Sequence, residues 1–282
     1  MMFQLVRRTR VILNTWKAKG GIYVLLFVLS RLFPSPRFFR RLANFISRSP
    51  VPEMLVALSG VFTNQAWPQR TAALEALAKA HLSRTFVAME IGTWFGEGST
   101  SIWAKYLKPG SQLFLIDIWR EYISEADKAT DSATSAMDSV QHIAINSTLK
   151  NIYEYEAKSD GDIYLLRGKA SKLCKFFKPN TFDFIYIDGS HYYEEVLEDI
   201  RLAKSLIKDG GTICGDDLEV EATKDRVDLA RRNLGRDFIK GEVDDLYFHP
   251  GVLLAVYEHF PIVTNHAGIW SVVKRGEDWV AA

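Results

Sequence analysis

Cysteine is nearly missing from this sequence, with only Cys174 and Cys214 in 282 residues. Two cysteines cannot build a disulfide framework or a thiolate zinc site, and their scarcity fits a reducing compartment. Long apolar runs are missing too. The main uninterrupted stretch, Ile22 to Leu29, has eight residues. Extended to Phe33 it would still rise only about 18 Å as a helix, against a hydrocarbon core of roughly 30 Å. It cannot span a bilayer alone. Arg31 follows it closely and no small-x-small cleavage site is evident, which argues against a cleaved signal peptide. There is no internal repeat and no low-complexity tract. With 48% hydrophobic and 24% charged residues, the chain has the composition of a soluble globular protein.

Acidic residues are absent from the first 52 positions, which hold ten lysines and arginines. All 34 acids follow, so an acidic body carries a basic N-terminal extension. Prolines at 34, 36, 50 and 52 mark a linker, and the sequence divides into an extension at 1–52 and a main domain at 53–282. Met2, Leu5, Val6, Ile12, Leu13 and Trp16 share one helical face, and Phe38, Phe39, Leu42 and Ile46 repeat the pattern among arginines. Two readings of residues 1–48 stand side by side: peripheral contact with a membrane surface, or packing on the chain's own domain or on a second copy in a homo-oligomer. A nucleic-acid surface would more naturally be interleaved with the fold, and nucleic acid is not expected as a partner.

Beyond the linker, Gln69 to Ser83 has apolar residues at helical spacing and leads into the apolar run Phe86 to Gly92. Further strands read as Gln112 to Ile118, Ile163 to Arg167, Phe182 to Ile187 and Gly211 to Gly215. The helices between them read as Gly98 to Leu107, Ser171 to Phe177 and His191 to Ile207. Near-continuous apolar strands alternating with helices predict a doubly wound, mostly parallel α/β sheet covered on both faces. At the tail, Val252 to Phe260 reads as helical. Ile262 to Asn265 and Gly268 to Lys274 are joined too closely for a parallel crossover, so they predict an antiparallel edge hairpin.

The first strand runs into EIGTWFGEGSTS, a glycine-rich turn before a helix, where backbone can approach a ligand closely and helix N–H groups are free. The second strand ends in Asp117, where a ribose diol is commonly gripped. Gly92, Gly96 and Gly98 do not have the G-x-G-x-x-G spacing, which argues against NAD. In IDGSHYYEEVLEDI, Asp188 ends a strand and His191 opens a helix; the following strand ends in Asp216 and Asp217. Adjacent parallel strands end on one rim, so these groups converge on one pocket. Three hard oxygen donors suit Mg²⁺, Mn²⁺ or Ca²⁺ better than zinc. At a helix N-terminus His191 is expected to be neutral and able to accept a proton. The long insertion from Arg120 to Ala157 reads as either a lid or a packing helix.

EIGTWFGEGSTS, LFLIDIW, and IDGSHYYEEVLEDI followed by GGTICGDD resemble the class I S-adenosylmethionine-dependent methyltransferases. Within them, they are similar to the metal-dependent sugar O-methyltransferases of the macrocin and mycinamicin type. The resemblance covers roughly residues 65 to 275. It implies a Rossmann-like sheet of seven strands, with Glu90, Gly92, Gly98 and Ser99 on the methionine and ribose side of S-adenosylmethionine. It also implies Asp117 on the ribose hydroxyls, and Gly168, Lys169 and Ala170 near the adenine. Asp188, Asp216 and Asp217 would hold Mg²⁺ or Mn²⁺, and His191 would be the general base. The chain departs from the family in having Asp216 where relatives often carry Glu, and in having Lys169. The acceptor implied is a hydroxyl of a sugar or glycosylated metabolite, and the setting cytoplasmic or at the inner membrane surface. A catechol-like phenol acceptor, or a non-catalytic binding protein on the same fold, are the alternatives.

Overall fold

The computed structural model describes residues 63–130 and 137–282. The basic extension at 1–52, its two amphipathic stretches and the boundary at 53 lie outside the described residues. Among the described residues no helix is long and apolar enough to cross a membrane.

Helix α1 (Pro68–His81) begins with a proline, whose missing N–H costs nothing at that position. Strand β1 (Val87–Ile91) follows, then α2 (Gly98–Ala104), β2 (Gln112–Asp117), α3 (Glu125–Thr130) and α4 (Gln141–Glu156). Next come β3 (Asp162–Arg167), the short α5 (Ala170–Leu173), β4 (Phe182–Ile187), α6 (Tyr193–Leu206), β5 (Ile207–Gly215) and α7 (Lys224–Arg231). The two-residue strands β6 (Ile239–Lys240) and β7 (Tyr247–Phe248) form a small ribbon before α8 (Pro250–His259). The chain ends in β8 (Thr264–His266), β9 (Ile269–Arg275) and β10 (Asp278–Ala281).

The main sheet has eight strands. Its order is β10-β9-β5-β4-β1-β2-β3, with β8 beside β9. Strands β1 to β5 are parallel, and β9 runs antiparallel to β5. The predicted hairpin forms as β8 and β9, but β9 inserts directly beside β5, and β10 adds a strand that the seven-strand expectation lacks. Strand β5 starts at Ile207 rather than Gly211, since α6 passes into it without an intervening loop.

Side chains alternate across the sheet, so each strand feeds two cores. Ala88, Leu113, Leu115, Phe184 and Tyr186 pack under α1 and α2 with Leu74, Ala78, Ile102 and Trp103. Met89, Ile91, Ile185, Ile187 and Ile213 pack under α6 and α8 with Val196, Ile200, Ala203, Leu253 and Val256. On α6 the buried residues recur at helical spacing, as its sequence predicts. Cys174 and Cys214 are free thiols buried in these cores.

Strands β1 and β4 are neighbours from which the chain winds outward in opposite directions, so their carboxyl ends open a crevice at the switch point of the sheet. Gly92, just past β1, has φ +89, and a Cβ there would lie 1.8 Å from the Asp188 carbonyl oxygen. The glycine thus lets two strand ends meet at backbone contact. Gly92→Ala should lower unfolding stability by more than about 2 kcal/mol, combining left-handed strain with a clash. Urea denaturation checks this, and a change under 0.5 kcal/mol would show that the two strand ends separate freely.

Candidate functional site

The crevice is a cleft of about 500 Å³ above the carboxyl ends of β1, β2, β4 and β5. At one end stands the glycine-rich turn between β1 and α2. Asp117 organises it, accepting the Trp94 N–H on Oδ2 at 2.8 Å and the Trp119 N–H on Oδ1 at 2.7 Å. Burial raises the Asp117 pKa despite these donors. Helix α4 holds the turn from outside. Thr148 Oγ1, Asn151 Nδ2 and Tyr155 Oη donate to the carbonyls of Trp94, Phe95 and Gly96 at 2.8, 3.0 and 2.8 Å. The second half of the long insertion is therefore a clamp on this turn.

Gly92, Gly98, Ser99 and Asp117 line the cleft, as do Gly168, Lys169 and Ala170 beyond β3. The Gly168 N–H donates to the Asp117 carbonyl at 2.8 Å, which ties the β3 loop to the end of β2. Glu90 is placed differently. It is fully buried behind the turn, accepting from Ser99 Oγ at 2.5 Å and Thr100 Oγ1 at 2.7 Å. Burial pushes its carboxyl up to about 8, against those two hydrogen bonds. It supports the wall through Ser99 and does not itself face the cleft.

At the other end of the cleft, Asp188, His191, Asp216 and Asp217 come together as predicted. They meet an arginine that sequence reasoning passed over. Arg70, reaching up from α1, donates to Asp216 Oδ1 and, at 2.6 Å, to Asp217 Oδ1. Tyr186 Oη lies 3.3 Å from Asp216 Oδ2 and 3.5 Å from Asp188 Oδ2. The guanidinium supplies the positive charge that an ion on three carboxylates would bring. Of the three carboxylates expected to hold Mg²⁺ or Mn²⁺, Asp216 and Asp217 are paired with Arg70 in this structure.

His191 also differs from expectation. It lies two residues before α6, with Nε2 at 3.0 Å from Asp217 Oδ2 and Nδ1 at 2.9 Å from Asp237 Oδ1. Burial opposes a charged ring, but the two carboxylates outweigh it and raise the pKa well above that of an ordinary histidine. The two carboxylates favour the protonated ring, whereas the helix terminus alone led to the expectation of a neutral His191. Asp217 is held well below the usual carboxylate range; His249, His191 and Arg70 together outweigh its burial. Asp188 moves the other way. Burial, and then repulsion from Asp217, push it up to about 7.

Arg70, Asp237 and His249 are the functional candidates missing from the sequence reading. Each is a lone residue far along the chain from the motifs, with no spacing to mark it.

Residues 89–218 match a family model described as a methyltransferase domain. With the strand order, that makes the described chain a Rossmann-like methyltransferase fold. The matched segment contains every site residue predicted from the motifs. No curated protein matches the chain. Among solved structures, the O-methyltransferase from Bacillus cereus in complex with SAH is 18% identical, over 83% of this chain and 97% of that one, with a TM-score of 0.46. The O-methyltransferase TomG from Streptomyces achromogenes, involved in tomaymycin synthesis and in complex with SAM, is 16% identical over 80% of this chain and 88% of that one, with a TM-score of 0.42.

The state of Glu90 predicts a pH effect. Its folded pKa lies above its unfolded value, so its contribution to stability is full below about pH 4.5 and is lost as pH rises through about 8. Between those limits the wild type should lose up to about 1.4 kcal/mol per pH unit from this group. Glu90→Gln should remove that slope. Denaturation curves of both proteins across the window test it, and parallel pH profiles would show that Glu90 is ionised in the fold.

Proposed function

We propose that this chain transfers a methyl group from S-adenosylmethionine to a hydroxyl oxygen of a sugar or glycosylated metabolite. The observation that carries this reading is the division of one cleft into two chemistries. Glycine-rich backbone, Asp117 and the Gly168–Ala170 loop lie at one end, and ionisable side chains at the other. The first end suits a nucleoside with a charged tail, with the Asp117 carboxylate toward the ribose hydroxyls and Ala170 toward the base. The second suits an oxygen that must lose a proton. In the transfer, the acceptor oxygen forms a bond to the methyl carbon as the carbon–sulfur bond breaks, leaving S-adenosylhomocysteine. Holding the two in line is most of what the protein contributes.

Of the groups at the acceptor end, Asp188 is best suited to receive the hydroxyl proton. Its pKa is raised to about 7 and it faces the cleft, whereas Asp217 and Asp237 favour the protonated form of His191. No step is assigned to a magnesium ion on Asp188, Asp216 and Asp217, two of which pair with Arg70. A ring-shaped acceptor is favoured by the aromatic rim beside this end. Phe238 lines the cleft and stacks on Tyr247, with centroids 5.4 Å apart and planes 22° apart. Sugar C–H faces and phenol rings both pack on such a surface. A catechol is therefore the competing acceptor, and a panel of methyl glycosides and catechols with labelled S-adenosylmethionine separates the two.

Calorimetry should show S-adenosylmethionine binding, weakened by Asp117→Asn by about 1–3 kcal/mol as charge-assisted contacts are lost. Absence of binding by the parent chain refutes methyl transfer. Asp188→Asn should lower kcat by about 10²- to 10⁴-fold, the usual worth of a positioned base, while leaving cofactor affinity in place. An unchanged rate would remove Asp188 from that role. For the extension, co-sedimentation of the full chain with acidic vesicles, abolished by salt, is the expected sign of a membrane-surface contact.

A further inference from the structure

The small ribbon of β6 and β7 turns one face inward and the other outward. Ile239 and Phe248 sit opposite each other and pack against the core, so alternation along the strands puts Phe238 and Tyr247 on the outer face. The outer face of an antiparallel pair is ordinarily polar. Here Phe238 is 42% exposed and Tyr247 54% exposed. Both belong to a row of rings that starts inside the cleft. The centroids of His191 and His249 lie 4.2 Å apart, those of His249 and Phe238 4.6 Å, and those of Phe238 and Tyr247 5.4 Å. His191, His249 and Phe238 line the cleft, and Tyr247 carries the row beyond it.

We propose that the outer end of this row is a second subsite for the acceptor, and that the acceptor is an aryl glycoside. Its sugar hydroxyl lies at the acceptor end of the cleft, and its aromatic aglycone lies across Phe238 and Tyr247. The sugar end rests on the methyl-transfer reading; the aryl subsite is defined by the ribbon alone.

The exposed parts of the rings favour an aryl occupant. At these separations neighbouring rings overlap rather than lie side by side, so Phe238, between His249 and Tyr247, presents mainly its edge. Ring edges carry partial positive charge and attract the negative face of another aromatic ring. The C–H face of a sugar has no such charge to offer them. Charge on the ribbon points the same way. The turn between the strands holds three acids, and each is paired: Glu242 with Arg232 at 3.4 Å, Asp245 with Lys240 at 2.7 Å, and Asp244 with Arg226. These pairs leave no cation of the turn to spare for a phosphate or an anionic headgroup, which would need one. A neutral aromatic group needs none, and it covers apolar surface that otherwise stands in water.

The test measures binding rather than turnover. The full chain with S-adenosylhomocysteine is titrated, by ligand-observed nuclear magnetic resonance, with paired phenyl and methyl glycosides of glucose, galactose and rhamnose. Methyl maltoside, whose second ring is a sugar, is added as a further probe. We expect the phenyl member of at least one pair to bind about 5- to 10-fold tighter than its methyl partner. Tyr247→Phe should keep that advantage. Tyr247→Ala, and Tyr247→Leu, which keeps apolar bulk without a ring, should lose it while leaving affinity for the methyl glycoside unchanged. The proposal is overturned if no pair shows a phenyl preference, or if the preference survives both Tyr247→Ala and Tyr247→Leu. It is overturned too if methyl maltoside binds as tightly as the phenyl glucoside, which would give the surface to a sugar. Light scattering covers the remaining occupant: a dimer that Tyr247→Ala dissociates would give the surface to a second copy of the chain and overturn the proposal. S-adenosylhomocysteine binding, measured in the same samples, keeps the two questions apart. Cofactor binding without a phenyl preference removes the subsite alone, and a phenyl preference without cofactor binding removes methyl transfer alone.

Discussion

Asp217 accepts from Arg70 and from His191 at once, and the acceptor end of the cleft depends on that double contact. Parallel strands that end side by side bring Asp188, Asp216 and Asp217 to one rim, and three carboxylates cannot share a poorly hydrated crevice uncompensated. The fold meets this constraint with cations from both sides of the sheet: Arg70 from α1 on one face, His191 and His249 from the loops before α6 and α8 on the other. Asp217 itself takes a left-handed conformation, φ 62, which an aspartate tolerates better than most residues. Its backbone N–H donates to Asp216 Oδ1 at 2.7 Å. Burial, and then repulsion from Asp217, raises the proton affinity of Asp188, while the cations gathered on Asp217 lower that of Asp217.

The cofactor end rests on backbone rather than charge. Its turn contains three residues at positive φ, Gly92, Trp94 and Gly96, and the carbonyls of Trp94, Phe95 and Gly96 accept from α4. Each such hydrogen bond contributes about 1 kcal/mol, and together they help hold the segment in place beside the buried Phe95. The turn is therefore preorganised from the insertion side, with Asp117 holding it from the sheet side.

What could be read from the sequence follows the range of the signals. Strands such as FDFIYI and the helix YEEVLEDIRLAKSL announce themselves by local period, and they appear within a few residues of their expected bounds. The glycine-rich turn and the strand-end acids were legible because the topology of a doubly wound sheet brings successive strand ends to one edge whatever lies between. Arg70, Asp237 and His249 were not legible. Their relation to Asp216, His191 and Asp217 is set by tertiary packing, and an isolated arginine or histidine in a helix or loop has the same local appearance whether it faces solvent or a carboxylate. The partners of His191 were not legible for the same reason: the helix terminus is a local feature, while Asp217 and Asp237 reach it across space. Asp199, another cleft carboxyl, is raised to about 7 by burial and its acidic neighbours on α6, a consequence of depth that charge patterning along the helix does not report.

The boundary of the matched segment, 89–218, has a consequence for how such a protein can diversify. The glycine-rich turn, Asp117 and the Gly168–Ala170 loop lie inside it, whereas Arg70, Asp237 and His249 lie outside. Among the described residues, none of the three makes a hydrogen bond to the glycine-rich turn, while Arg70 and His191's partner Asp237 set the charge around Asp217. The two ends of the cleft can therefore change under separate selective pressures, one set by the matched segment and the other by residues outside it.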